Sequence, residues 1–154
     1  MMIKKPILFV LAVVMMTGLG VSGFGQKPKA APPYKISAIN VVPFEEQTGK
    51  FGSAYEAQPS EMLNALSTSL FVTVEISGQE GSFEAGRKVQ ITVTEGKRIK
   101  YSRTEQVGLI GDGKYYMPVW LYSPMCSKVT ITARLLGQTT ASSMKRVVPF
   151  VCGE

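Results

Sequence analysis

The sequence predicts an all-β domain, an antiparallel sandwich of short strands, and three observations predict it. Apolar residues recur with period two over much of the chain from Leu70 onward. Turn signals built on glycine separate these runs at short intervals, and the only two cysteines fall on neighbouring strands of one expected hairpin. Period two sends alternate side chains to opposite faces of a strand, so each run offers one face to a core and the other to water.

The chain opens on an export signal. Lys4 and Lys5 precede an apolar run, Ile7 to Met16, which gives way through Thr17, Gly18 and Gly20 to the small residues Val21-Ser22-Gly23. A positive start, an apolar centre and a small-residue end are the order of a secretory leader. Residues 1–23 are therefore read as a signal peptide, cleaved after Gly23 or Gly25. The alternative is a retained anchor, since the uncharged stretch from Pro6 to Phe24 is nearly as long as the roughly 20 residues that cross a bilayer. Glycines near its end weaken that alternative, and no cysteine near the junction is available for lipid attachment. The expectation is an exported protein, periplasmic or extracellular, with no stable membrane span after cleavage.

Of 17 Lys and Arg, loss of Lys4 and Lys5 leaves 15 against 11 Asp and Glu, so the formal charge falls from +6 to +4. The charges are spread along the chain rather than gathered on an arm, and no nucleic-acid partner is expected. Residues 24–33, with Gln26-Lys27-Pro28-Lys29-Ala30-Ala31-Pro32-Pro33, favour an extended polyproline-like linker. Residues 34–154 then suit one domain with one core.

Within that domain, Tyr34 to Val42 reads as a first strand ended by Pro43, and the polar stretch Glu45 to Ala57 as loop. Pro59-Ser60-Glu61 followed by Met62, Leu63, Ala65 and Leu66 reads as a short helix. Leu70, Val72, Val74 and Ile76 alternate with Phe71, Thr73, Glu75 and Ser77, and Val89, Ile91 and Val93 with Lys88, Gln90, Thr92 and Thr94. The next hairpin has a register to choose. A two-residue turn at Glu95-Gly96 would mix buried and wet faces, whereas a three-residue loop, Glu95-Gly96-Lys97, sets Val93 opposite Ile99 and Ile91 opposite Tyr101. It leaves Thr92, Thr94, Arg98 and Lys100 on the outer face. Val107 to Ile110 gives a short strand and Gly111-Asp112-Gly113 a tight turn. Tyr115 to Tyr122, Lys128 to Leu136 and Met144 to Val151 complete the set.

Cys126 and Cys152 are expected to form a structural disulfide, because an exported chain meets an oxidising compartment. Folding the last hairpin about Thr139 pairs Val129 with Pro149, Ile131 with Val147 and Cys126 with Cys152. A bridge there would stabilise the fold by roughly 3 to 4 kcal/mol in the chain-entropy picture. Nothing marks a redox pair, since there is no CxxC spacing.

The run Phe83-Glu84-Ala85-Gly86-Arg87-Lys88-Val89-Gln90-Ile91-Thr92-Val93 resembles the loop and second strand of bacterial immunoglobulin-like domains. Gly111-Asp112-Gly113-Lys114-Tyr115-Tyr116 and Lys128-Val129-Thr130-Ile131-Thr132-Ala133-Arg134-Leu135-Leu136-Gly137 resemble the turn and closing strands of such sandwiches. The likeness covers about Ser69 to Cys152. It implies an immunoglobulin-like β-sandwich and a role in adhesion, ligand display or spacing. Antibody-type domains place their cysteines on facing sheets around a tryptophan, which this spacing does not reproduce.

Candidate chemistry is sparse. Histidine is absent and Asp112 is the only aspartate, so imidazole triads are excluded and no metal site or cofactor is expected. Glu45-Glu46 reads as a solvated pair in a loop. The strand from Lys114 to Tyr122 puts Tyr115, Met117, Val119 and Leu121 on one face, and Tyr116, Pro118, Trp120 and Tyr122 on the other. A sole tryptophan in a small sandwich favours core, which would bury the aromatic face. If the aliphatic face is core instead, Tyr116, Trp120 and Tyr122 form a stripe able to stack on a ligand. Lys88, Lys97, Arg98, Lys100 and Arg103 are candidate anion contacts, against the alternative of a solvated sheet face or lysines guarding a sheet edge. The expected function is a non-catalytic exported module for binding, adhesion or spacing, with an unknown protein or polysaccharide ligand. The alternatives are an enzyme-associated or polysaccharide-binding domain, and a protease inhibitor or pilus-like subunit.

Overall fold

A computed structural model of the chain describes residues 33–55, 63–64 and 67–151. The expected leader, the linker up to residue 32, and Cys152 lie outside the described residues. Among the described residues there are ten strands: β1 (Lys35–Glu45), β2 (Lys50–Phe51), β3 (Leu63–Asn64), β4 (Thr68–Ser77), β5 (Lys88–Glu95), β6 (Arg98–Gln106), β7 (Lys114–Leu121), β8 (Val129–Leu136), β9 (Ser143–Val148) and β10 (Phe150–Val151). They form two four-stranded antiparallel sheets, β2-β1-β4-β7 and β6-β5-β8-β9, with β3 and β10 paired in parallel beside them. The apolar faces of the two larger sheets meet in one buried cluster, the core of a β-sandwich.

Alternation explains the core directly. Leu70, Val72, Val74 and Ile76 of β4 are wholly buried, as are Val129, Ile131 and Ala133 of β8. Each strand gives every second side chain to the interior. Removing one such aliphatic side chain to alanine costs about 2 to 5 kcal/mol, so these rows hold the two sheets in register.

Several sequence expectations are corrected. β1 does not stop at Pro43 but runs to Glu45, with Pro43 opposite Leu70 of β4. A residue's N–H and C=O point to the same side of its strand, and the Pro43 carbonyl accepts from the Gly52 N–H at 2.8 Å. The missing N–H of Pro43 thus faces the short outer hairpin and not the β4 ladder, which is where a sheet tolerates proline. Part of the expected loop after Glu45 is strand β2, with Phe44 paired to Phe51. Leu63 and Asn64, assigned to a short helix, pair instead with β10. No helix occurs among the described residues, and the rest of that expected helix lies outside them.

The β5–β6 hairpin also departs from expectation. Glu95 faces Arg98 across a two-residue turn, Gly96-Lys97, and Gly96 takes the positive φ (54°) that a turn with glycine first requires. A bulge then restores the pattern: Thr94 faces Ile99 and Val93 faces Tyr101, with Lys100 as the extra residue. Tyr101 stays against the core, while Ile99 turns outward and is 63% exposed. Residues 107–110 are not a strand. Val107 and Ile110 are buried from a loop, which is tied by Val107 N–H to Arg87 C=O (2.8 Å) and Ile110 N–H to Ser82 C=O (2.9 Å).

The closing hairpin is one residue out of the expected register. Val129 faces Val148 and Ile131 faces Arg146, not Val147. Arg146 can occupy the inner row because its guanidinium donates to the Tyr55 carbonyl at 2.5 Å and lies over the Tyr55 ring. A cation anchored by that bond takes the place of an aliphatic residue in the row, with its Nε buried and unpaired among the described residues, and Val147 goes to the surface. Cys126 precedes β8 and lies outside the ladder; it is not a free thiol.

Candidate functional site

The alternation of β7 resolves in favour of an aliphatic core face. Met117, Val119 and Leu121 are buried, Tyr115 packs against the same core, and Tyr116 and Tyr122 are exposed. The expectation that the sole tryptophan lies in the core is therefore corrected: Trp120 sits half-buried on the outer surface of the first sheet. Its cover comes from elsewhere in the sequence. Val42, Phe71 and Trp120 form one row across β1, β4 and β7, and Phe44 and Phe51 lean over from the β1–β2 hairpin.

Five rings meet there. Trp120 lies 5.4 Å from Phe44, 5.8 Å from Phe71, 6.0 Å from Phe51 and 6.1 Å from Tyr122, centroid to centroid. Phe51 completes the group at 5.0 Å from Phe44 and 6.3 Å from Phe71. The planes are tilted or edge-on, the arrangement that aromatic quadrupoles prefer. The cluster fastens the outer hairpin across the sheet, yet Phe51 remains 58% and Tyr122 72% exposed. Tyr116, the third residue of the expected stripe, is also outward but lies four pairs from Trp120 along β7, beside Glu75.

A polar junction borders the rings. The Glu46 carboxylate accepts hydrogen bonds from the Ser69 hydroxyl and, at 2.8 Å, from the Ser123 hydroxyl, both on Oε1; the Ser69 oxygen in turn accepts from the Ser123 N–H at 3.1 Å. The Ser69 hydroxyl lowers the Glu46 pKa most, followed by that of Ser123, so the group keeps its charge below the usual carboxylate range. Both hydroxyls donate to a stabilised anion. Such a carboxylate is a poor base, and the serines are not activated as nucleophiles.

On the other side of Trp120 and Tyr122 runs an open groove of about 450 Å³, lined also by Lys100, Tyr101, Ser123 and Met125. It lies where edge strand β7 of one sheet looks toward edge strand β6 of the other. The Lys100 ammonium stands there, 3.5 Å from a Glu95 oxygen and 3.3 Å from the Pro124 carbonyl. Glu95 itself is held below its ordinary pKa, first by the Cys126 N–H at 2.6 Å and then by Lys100.

The expected basic group is dispersed. Lys88 and Lys97 sit at opposite ends of the β5–β6 hairpin, separated by more than about 23 Å of strand. Arg98 is exposed opposite Glu95, Lys100 is turned to the groove, and Arg103 pairs with Glu105. Of the residues that build the site, reading the sequence found Tyr116, Trp120 and Tyr122 and missed Phe44, Phe51, Phe71, Glu46, Ser69 and Ser123. Phe71 carried a signal, since it already stood on the outward side of its strand. Phe51 carried none, because its position depends on a hairpin within an apparently patternless stretch.

Among the described residues no three His, Cys, Asp or Glu gather as a metal site, and no helix is long and apolar enough to cross a membrane. Compared with protein-family models and with curated proteins, the chain matches none.

Proposed function

We propose that the protein is a non-catalytic, exported binding module of immunoglobulin-like type, and that it contacts its ligand with the outer aromatic cluster. The observation that carries this is the pair of exposed rings, Phe51 and Tyr122, on an apolar patch that the sandwich does not need to cover its core. A sheet face turned to water is ordinarily polar, and contiguous exposed aromatics mark contact surfaces. The serine–glutamate junction adds rigidity without a nucleophile or a base. The immunoglobulin-like assignment draws support from strand order: β1, β4 and β7 share one sheet while β5, β6, β8 and β9 share the other, with chain crossings between sheets as in Greek-key sandwiches.

Export follows from the leader of residues 1–23 and from cysteine usage. Cys152, joined to Cys126, would tie the β7–β8 loop to the chain that follows β10. Peptide mapping without reductant checks that link.

Affinity capture from the host's envelope and culture medium tests the binding role. The wild type retains a component that the double variant Phe51→Ser, Tyr122→Ala releases, while far-UV circular dichroism shows both folded. Equal retention by the two proteins, or none by either, overturns the assignment.

A further inference from the structure

Building on the reading of the aromatic cluster as a binding face, we infer that its ligand is a polysaccharide chain, stacked on Tyr122, Trp120 and Phe51 and hydrogen-bonded by Glu46 and Lys100. Size is the first argument. An aromatic side chain offers about 150 to 250 Å², so the exposed parts of Phe51 and Tyr122 amount to on the order of 250 Å², and three half-covered rings extend the patch to a few hundred. A stable interface with a second copy or another folded protein needs about 800 Å² on each side. The patch is too small for that and suits a narrow chain lying across it.

Chemistry is the second argument. A pyranose ring presents C–H groups on its faces and hydroxyls around its rim, so it needs an apolar floor with donors and acceptors at the sides. Tyr122 is bracketed in that way. Ser123, its neighbour in sequence, holds Glu46 at 2.8 Å, an acceptor kept ionised by two serine hydroxyls. Lys100, a donor, shares the groove with Tyr122 and Trp120. An apolar peptide would strip water from both charged groups and return no hydrogen bond to either, leaving each with only its existing protein partners. Anionic lipid headgroups and nucleic-acid phosphates would meet the Glu46 carboxylate, a like charge.

Affinity electrophoresis in native gels tests the inference on the intact purified protein. The probes are hydroxyethylcellulose, glycol chitin and polygalacturonate, which are a neutral glucan, an N-acetylated amino sugar polymer and an anionic uronate polymer. At least one of them retards the wild type. Tyr122→Ala weakens that retardation about tenfold, the loss of one stacked ring. Glu46→Gln weakens it several-fold while far-UV circular dichroism shows the variant folded, and Lys88→Ala leaves it unchanged. Absence of retardation by all three probes, or retardation indifferent to Tyr122→Ala and Glu46→Gln, overturns the inference. Sedimentation with phosphatidylglycerol vesicles in place of glycan retardation assigns the face to lipid. If no glycan binds but affinity capture remains sensitive to Phe51→Ser and Tyr122→Ala, the sugar chain is wrong and the binding face stands.

Discussion

Replacing Trp120 with alanine separates what the aromatic cluster does for stability from what it offers to a ligand. Trp120 is the ring that touches four others, at 5.4, 5.8, 6.0 and 6.1 Å, and each such pair contributes about 0.5 to 1.5 kcal/mol beyond its buried area. Truncation of a fully buried tryptophan costs about 3 to 5 kcal/mol. Trp120 is only half-buried, so the lower end applies, about 3 kcal/mol. Tyr122 makes a single ring contact and is 72% exposed, so Tyr122→Ala costs below about 1 kcal/mol. Urea unfolding followed by far-UV circular dichroism measures both, since the substitution removes the only tryptophan. With a slope near 2 kcal/mol/M, Trp120→Ala lowers the midpoint by about 1.5 M. A loss below about 1 kcal/mol, or one no larger than that of Tyr122→Ala, refutes the view that the rings fasten the β1–β2 hairpin.

Gly137 has φ of +80° and an added Cβ would lie 2.8 Å from the Gly86 carbonyl oxygen, so Gly137→Ala destabilises by more than about 2 kcal/mol; Gly96→Ala, at φ +54° with its nearest neighbour at 3.6 Å, costs about 1 to 2 kcal/mol, and thermal unfolding of both ranks them. Ile99→Lys changes stability by no more than about 0.5 kcal/mol because the side chain is already outside; a loss above about 2 kcal/mol would restore the three-residue turn. The Glu75 carboxyl is held below the ordinary glutamate range, first by its bond to Lys114 and then by Ser37. Its folded pKa is depressed, so its contribution is complete above the unfolded pKa and is lost as pH falls through the folded one. Between about pH 5 and 2 the urea midpoint of Glu75→Gln accordingly falls less steeply than that of the wild type.

Strands with strict alternation were legible because period two is a local signal. Leu70 to Ile76, Val89 to Val93 and Met117 to Leu121 each contain their own answer. Registers were not, because they depend on events outside the apolar count. One turn placed its glycine first and followed with a bulge at Lys100, and the closing hairpin shifted by a residue to admit Arg146, whose partner is the distant Tyr55 carbonyl. The site failed to show for a related reason. Its rings come from β1, β2, β4 and β7, and only the last of these displayed them as a stripe. What brings Phe44 and Phe51 over Trp120 is the turn between Glu45 and Lys50, where the sequence shows polar residues without a period.

The sandwich has open flanks, and their composition bears on how copies of the molecule behave when crowded. β7 carries Pro118 in mid-strand, which interrupts the row of donors an incoming strand would need. β6 carries the Lys100 bulge together with Arg98, Arg103 and Glu105, so a second chain laid along it would lose alignment and meet repeated charge. Growth of a continuous sheet from one copy to the next is thereby blocked at both of these margins. Molecules held at high local density would not zip together along either of these two strands, and the rings beside β7 stay uncovered there.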